Sequence, residues 1–168
     1  MGGERDEFMD TNLNEFLIRN NGFVYATLYI KPLNDVTMLE RSFLLDTGAS
    51  ATTMSLDGLT RLGYTKEWVQ ENGVPQRPYE TASKVKIGGC YKIRLPQVTV
   101  GNHVCLNFHM ITSLESDLND LLGINFIRYN NWIFDYEEGK VSFRLIKTIV
   151  PQNSGDFGIH TLQNIEEE

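Results

Sequence analysis

An all-β fold with one or two short helices is predicted by three features of the sequence. Short runs rich in β-branched and aromatic residues recur along the chain, hydrophobic alternation of period two takes over from about Tyr79, and helical spacing is confined to brief stretches. A length of 168 residues suits one compact domain, and a hydrophobic fraction of 41% with 11% aromatics supplies a real core rather than a disordered chain.

Residues 1–20 are polar and acid-rich, with a weakly helical patch at Leu13, Phe16 and Leu17, and read as an N-terminal extension. The run from Gly22 to Ile30 reads as a strand that ends in a turn at Pro32, Asn34 and Asp35. Phe43-Leu44-Leu45 is a second apolar run and leads straight into Asp46-Thr47-Gly48. Ser55 can cap a short helix through Leu59 and Leu62 that Gly63 ends, and Thr65 another through Trp68 and Val69 that Gly73 ends. Alternating residues from Val85 to Val100, broken at Gly88-Gly89, and from Val104 to Met110, after a Gly101-Asn102 turn, read as paired strands. Ser113 to Asn119 is a polar loop, and Leu121 to Ile127 a buried strand passing into a short helix. Trp132-Ile133-Phe134 and Val141-Ser142-Phe143 flank Glu137-Glu138-Gly139-Lys140 as a hairpin. The core domain is therefore expected over residues 21–147, with 148–168 as a mobile or partner-dependent tail ending in three glutamates.

Fifteen Lys and Arg against 22 Asp and Glu give a formal charge of -7, which disfavours nucleic acid as a partner. The Met1 to Asp6 start lacks the apolar stretch of a secretory signal, Asp6 breaks the myristoylation pattern, and no apolar run approaches a membrane span. Cys90 and Cys105 read as two free thiols of a protein in a reducing compartment, so an intracellular location with no membrane partner is expected.

The chemistry is concentrated in Phe43-Leu44-Leu45-Asp46-Thr47-Gly48-Ala49-Ser50. An acidic residue directly after three apolar ones is carried toward a buried place, where a carboxylate needs partners or a raised pKa. Gly48 permits a sharp turn, and Thr47 and Ser50 bring hydroxyls able to bond a carboxylate or backbone amides. Such a loop presents Asp46 as an acid/base group, although Asp-Thr-Gly also occurs as an ordinary turn.

With the rest of the chain, the sequence resembles the retropepsin-like aspartic proteases: retroviral, retrotransposon and bacterial single-domain members. The resemblance runs from about Gly22 to Phe143 and rests on three marks in order: Leu44 to Ser50, then Leu121-Leu122-Gly123-Ile124-Asn125-Phe126, then the weaker pair around Phe134-Asp135-Tyr136 and Gly139-Lys140-Val141. It implies a closed barrel equivalent to half of a pepsin-like aspartic protease, with a flap hairpin between the first two marks. It further implies a homodimer in which each subunit gives one Asp46 to a shared site, acting on a polypeptide without metal or other cofactor. By the same resemblance Thr47 braces the two loops, Gly48 presents its amide, Ala49 completes the loop and Ser50 supports the outer carboxylate oxygen. The flap tip is expected between Ala82 and Gly89, in the stretch that includes Ser83, with Gly88-Gly89 as the favoured bend.

Blander readings stand beside these. Leu121, Leu122 and Gly123 would pack in a core whatever the chemistry, His103, His109 and His160 read as surface histidines, and Asp117 and Asp120 as residues of a polar loop. The alternative function is a catalytically silent dimerisation or peptide-binding module on the same fold.

Overall fold

The computed structural model describes residues 13–162. The expected start at Met1 to Asp6 and the terminal Glu166 to Glu168 lie outside the described residues.

Strands β1 (Leu13–Leu17), β2 (Tyr25–Ile30) and β3 (Leu39–Leu45) come first. On β2, Ala26, Leu28 and Ile30 are fully buried while the residues between them are not, the period-two pattern of a half-buried strand. β3 returns antiparallel to β2, pairing Tyr25 with Leu44 and Ile30 with Leu39. Two helices follow, α1 (Leu56–Arg61) and α2 (Lys66–Asn72). The expected caps are in place: Ser55 accepts from Gly58 N and Thr65 from Trp68 N.

Short strands β4 (Val74–Pro75), β5 (Tyr79–Glu80) and β6 (Lys86–Ile87) lead to a long ribbon of β7 (Cys90–Val100) and β8 (His103–Ser113). The ribbon pairs Cys90 with Ser113 and Val100 with His103, turning at Gly101, whose φ of 60° suits glycine. Pro96, which has no N–H, falls opposite Asn107 at φ 52°, and the ladder skips that pair. β9 (Leu121–Leu122) runs parallel to β3, and α3 (Ile124–Ile127) follows it at once. The main sheet takes the order β12-β8-β7-β2-β3-β9, with β12 at Gly158–Thr161 and β4 also on β7, and curls as a half-barrel. Phe43, Leu95, Phe108, Met110 and Leu122 fill its interior.

β10 (Asn130–Asp135) and β11 (Lys140–Leu145) form the expected hairpin, with Gly139 at φ 71° in its turn. The helical patch expected at Leu13, Phe16 and Leu17 is instead strand β1 on the far side of β11, pairing Phe16 with Val141. Phe16 stacks on Phe143 at 4.9 Å, so tertiary pairing overrides the weak local spacing. The C-terminal segment also enters a sheet: β12 pairs with β8, and Ile159 is fully buried. His103, expected at the surface, is fully enclosed, between the side chain of Asn14 and the ring of Phe143. No helix among the described residues is long and apolar enough to cross a membrane.

Candidate active site

β3 carries the chain out of the sheet into the Asp46 loop, with β9 as its parallel neighbour. Leu44 N donates to Asp120 O at 2.9 Å and Asp46 N to Leu122 O at 3.0 Å, so both motifs share one short ladder. The chain then turns sharply. Ala49 N donates to Asp46 O at 3.1 Å, and Gly48 N donates to Asp46 Oδ1 at 2.9 Å. That amide aims the carboxylate within its own loop. The sheet ends at this turn, so Asp46 is half-exposed rather than carried into the interior. Thr47 and Gly48 are exposed, while Ala49 is buried.

Gly123 follows β9 and fits under this loop only because it has no side chain. A Cβ there would lie 2.4 Å from Ala51 O and 2.9 Å from Ala49 O. Ile124 N donates to Ala49 O at 2.9 Å, tying the start of α3 to the loop. Thr52 completes the seam: its Oγ1 accepts from Gly123 N at 3.1 Å and donates to Asn125 Oδ1 at 2.7 Å. Asn125 also accepts from Thr52 N at 3.0 Å and donates to His109 O at 3.0 Å. A fully buried threonine hydroxyl with both its roles used resists rearrangement of the loop.

Asp46 opens onto a cleft of about 490 Å³. Leu44, Ala49 and Leu121 give it an apolar floor, the hairpin β5–β6 forms one wall, and Asp117 to Asn119 form the other. Of the expected site residues, Ala82 and Ser83 line this cleft with Asp46, Gly48 and Leu121, while Leu122 lies beneath in the core. Ser50 faces a different depression, beside Ala51, Lys92 and His109. The hairpin pairs Tyr79 with Ile87 and Glu80 with Lys86. Its tip spans Thr81 to Val85, closed by Thr81 N to Val85 O at 2.9 Å, with Lys84 at φ 63°. The bend expected at Gly88-Gly89 is therefore not the tip but the base, where Gly89 at φ 67° redirects the chain into β7. Two residues per strand suffice to close the hairpin before the glycines are reached.

Three features of the site escaped the sequence. Tyr79 lines the cleft, and its hydroxyl pKa is raised, first by burial and then by the Asp46 charge. Asp120, expected to be an ordinary loop residue, forms an ion pair through Oδ2 with Arg41 Nε at 2.6 Å and accepts from Ser55 N through Oδ1 at 3.2 Å. Arg41 reaches on to Ser55 Oγ at 3.3 Å. β3, β9 and the cap of α1 are thus fastened by two side chains. The one sequence signal was Asp120 standing directly before the apolar pair Leu121-Leu122, a carboxylate with no turn to explain it.

Comparison with known proteins agrees with this geometry. The family model described as gag-polyprotein putative aspartyl protease matches residues 34–129, a span that holds both the Asp46 loop and Gly123. The crystal structure of a retropepsin-like aspartic protease from Rickettsia conorii is similar at a TM-score of 0.57 and 20% identity, over 79% of this chain and 90% of that one. At that identity the likeness is one of fold. No curated protein matches the chain.

Proposed function

The chain belongs to the gag-polyprotein putative aspartyl protease family, and from that premise we propose that it is an aspartic endopeptidase in which Asp46 is the catalytic carboxylate. The observation that carries the reading is Asp46 itself, held by Gly48 N at 2.9 Å and half-exposed at a cleft of about 490 Å³ that it shares with the β5–β6 hairpin. The sequence contains one Asp-Thr-Gly, and two carboxylates are needed, so a second copy of the chain supplies the other. Thr47 and Gly48 are exposed, leaving the loop accessible to that partner.

In the dimer the two Asp46 carboxylates stand close and hold one proton between them. The ionised one takes a proton from a water, whose oxygen attacks the peptide carbonyl carbon, while the protonated one donates to the carbonyl oxygen. Collapse of the tetrahedral intermediate breaks the C–N bond, and the leaving nitrogen takes up a proton from the dyad. The hairpin acts as a flap, excluding water and pairing with the backbone of a substrate that lies along it as a strand. The apolar floor of Leu44, Ala49 and Leu121 favours apolar side chains beside the cleaved bond.

A diverse peptide library, incubated from acidic to neutral pH with wild type and Asp46→Asn and read by mass spectrometry, tests the proposal. Specific cuts from wild type alone are expected. A folded dimer that cuts nothing at any pH would instead favour the silent peptide-binding module, and equal cutting by both proteins would remove Asp46 from the mechanism.

A further inference from the structure

One buried hydroxyl that the proposed reaction does not use lies where the two walls of the cleft meet. Ser113, the last residue of β8, is 1% exposed. Its Oγ donates to Gly88 O at 2.7 Å and accepts from the N–H groups of Glu115 and Ser116, each at 3.1 Å. A hydroxyl has one proton and two lone pairs, so all its bonding capacity is committed. Leu114 N adds a bond to Gly89 O at 2.9 Å. The Glu115 side chain lies over the same glycines: a Cβ on Gly89 would stand 2.7 Å from Glu115 Cγ, on a backbone already at φ 67°. The base of the hairpin and the start of the 114–119 loop therefore converge on a single side-chain oxygen. Further along, Tyr79 to Ser83 from the hairpin and Asp117 to Asn119 from the loop face each other across the Asp46 cleft.

We propose that Ser113 is a positioning residue that couples these two walls, so that the hairpin and the 114–119 loop move as one unit and set the width of the peptide site. The coupling stands on the hydrogen bonds alone; its consequence for peptide binding rests on the endopeptidase reading above. The hairpin has little buried contact of its own, since Glu80 and residues 82–86 are exposed, and on the loop Glu115, Ser116 and Asp117 are exposed between the part-buried Leu114 and the buried Leu118. Segments of this kind take their order from the few bonds at their ends.

Amide hydrogen exchange on the full chain tests the coupling, using wild type, Ser113→Ala, Ser113→Thr and Gly89→Ala. In wild type the Glu115 and Ser116 amides are expected to be protected although their residues are exposed. Ser113→Ala should accelerate them by about tenfold, the loss expected for about one hydrogen bond, and should accelerate Thr81 and Lys84 at the hairpin tip with them while β2 stays unchanged. Ser113→Thr, which keeps the hydroxyl, should restore most of the protection. Gly89→Ala disturbs the junction from the hairpin side and should accelerate Glu115 and Ser116 in turn. Acceleration confined to one wall would overturn the proposal, and so would uniform acceleration through β2 and β7, which would make Ser113 a residue of general stability only. In peptide cleavage, Ser113→Ala should raise KM several-fold with kcat within about twofold of wild type; a fall in kcat at unchanged KM would count against it. If wild type cleaves nothing, the endopeptidase reading fails while the exchange pattern still decides the coupling.

Discussion

Gly123 shows how much one missing methyl carries at the residue scale. The carbonyls of Ala49 and Ala51 occupy the space a side chain would need, so Gly123→Ala must push apart the Asp46 loop and β9. We expect a loss of about 2–4 kcal/mol in stability, read as a lower urea midpoint, with impaired cleavage because Asp46 shifts with its loop. His103 gives a second residue-scale prediction. Burial lowers its pKa to about 4 from an ordinary 6.5, only partly opposed by the neighbouring Asn130 side chain. The unfolded chain therefore takes up this proton first as the pH falls. The histidine's stabilising contribution is complete above about pH 6.5 and is lost progressively down to about pH 4, by up to about 3 kcal/mol. Urea midpoints between pH 7 and 4.5 should fall more steeply for wild type than for His103→Gln; equal slopes would show that the imidazole is not the sensor.

Between elements, the decisive feature is the fastening of β3, β9 and α1 by Arg41 and Asp120. The pair is mostly screened from solvent, with side-chain exposures of 31% and 18%, and Asp120 also satisfies the Ser55 amide. Removing one partner leaves the other charge and that amide without compensation. Asp120→Ala should therefore lower the unfolding free energy by about 1–3 kcal/mol, and a thermal melt of the variant against wild type checks it. Ser55→Ala removes both the cap of α1 and the end of the Arg41 chain, and should cost about 1 kcal/mol. If the fastening acts as a unit, the double variant loses less than the sum of the two single losses.

For the whole molecule, the proposal turns on two chains sharing one site. Mixing equal amounts of wild type and Asp46→Asn, with time for subunits to exchange, should make about one quarter of all pairs doubly active. Specific activity should then fall to about half that of an unmixed control holding the same wild-type amount. Activity that does not respond to the inactive partner would mean that each chain works alone. Dilution should likewise reduce specific activity once subunits separate.

Much of this was legible along the chain because it depends on neighbours in sequence. Ser55 and Thr65 cap their helices through amides three residues on, and Gly139 turns a hairpin whose strands adjoin it. The two motifs at Asp46 and Gly123 were legible for the same reason, each being a short apolar strand running into a turn. Leu13 to Leu17 and Gly158 to Thr161 carry no comparable local signal, and their strand state comes from β11 and β8, chosen by packing across long separations. The base-not-tip position of Gly88-Gly89 depends on where Tyr79 meets Ile87, and the roles of Asp120 and Ser113 depend on groups that folding alone brings within 3.2 Å. Local periodicity and turn chemistry write themselves into adjacent residues, whereas hydrogen bonds between distant segments exist only once the chain has closed on itself.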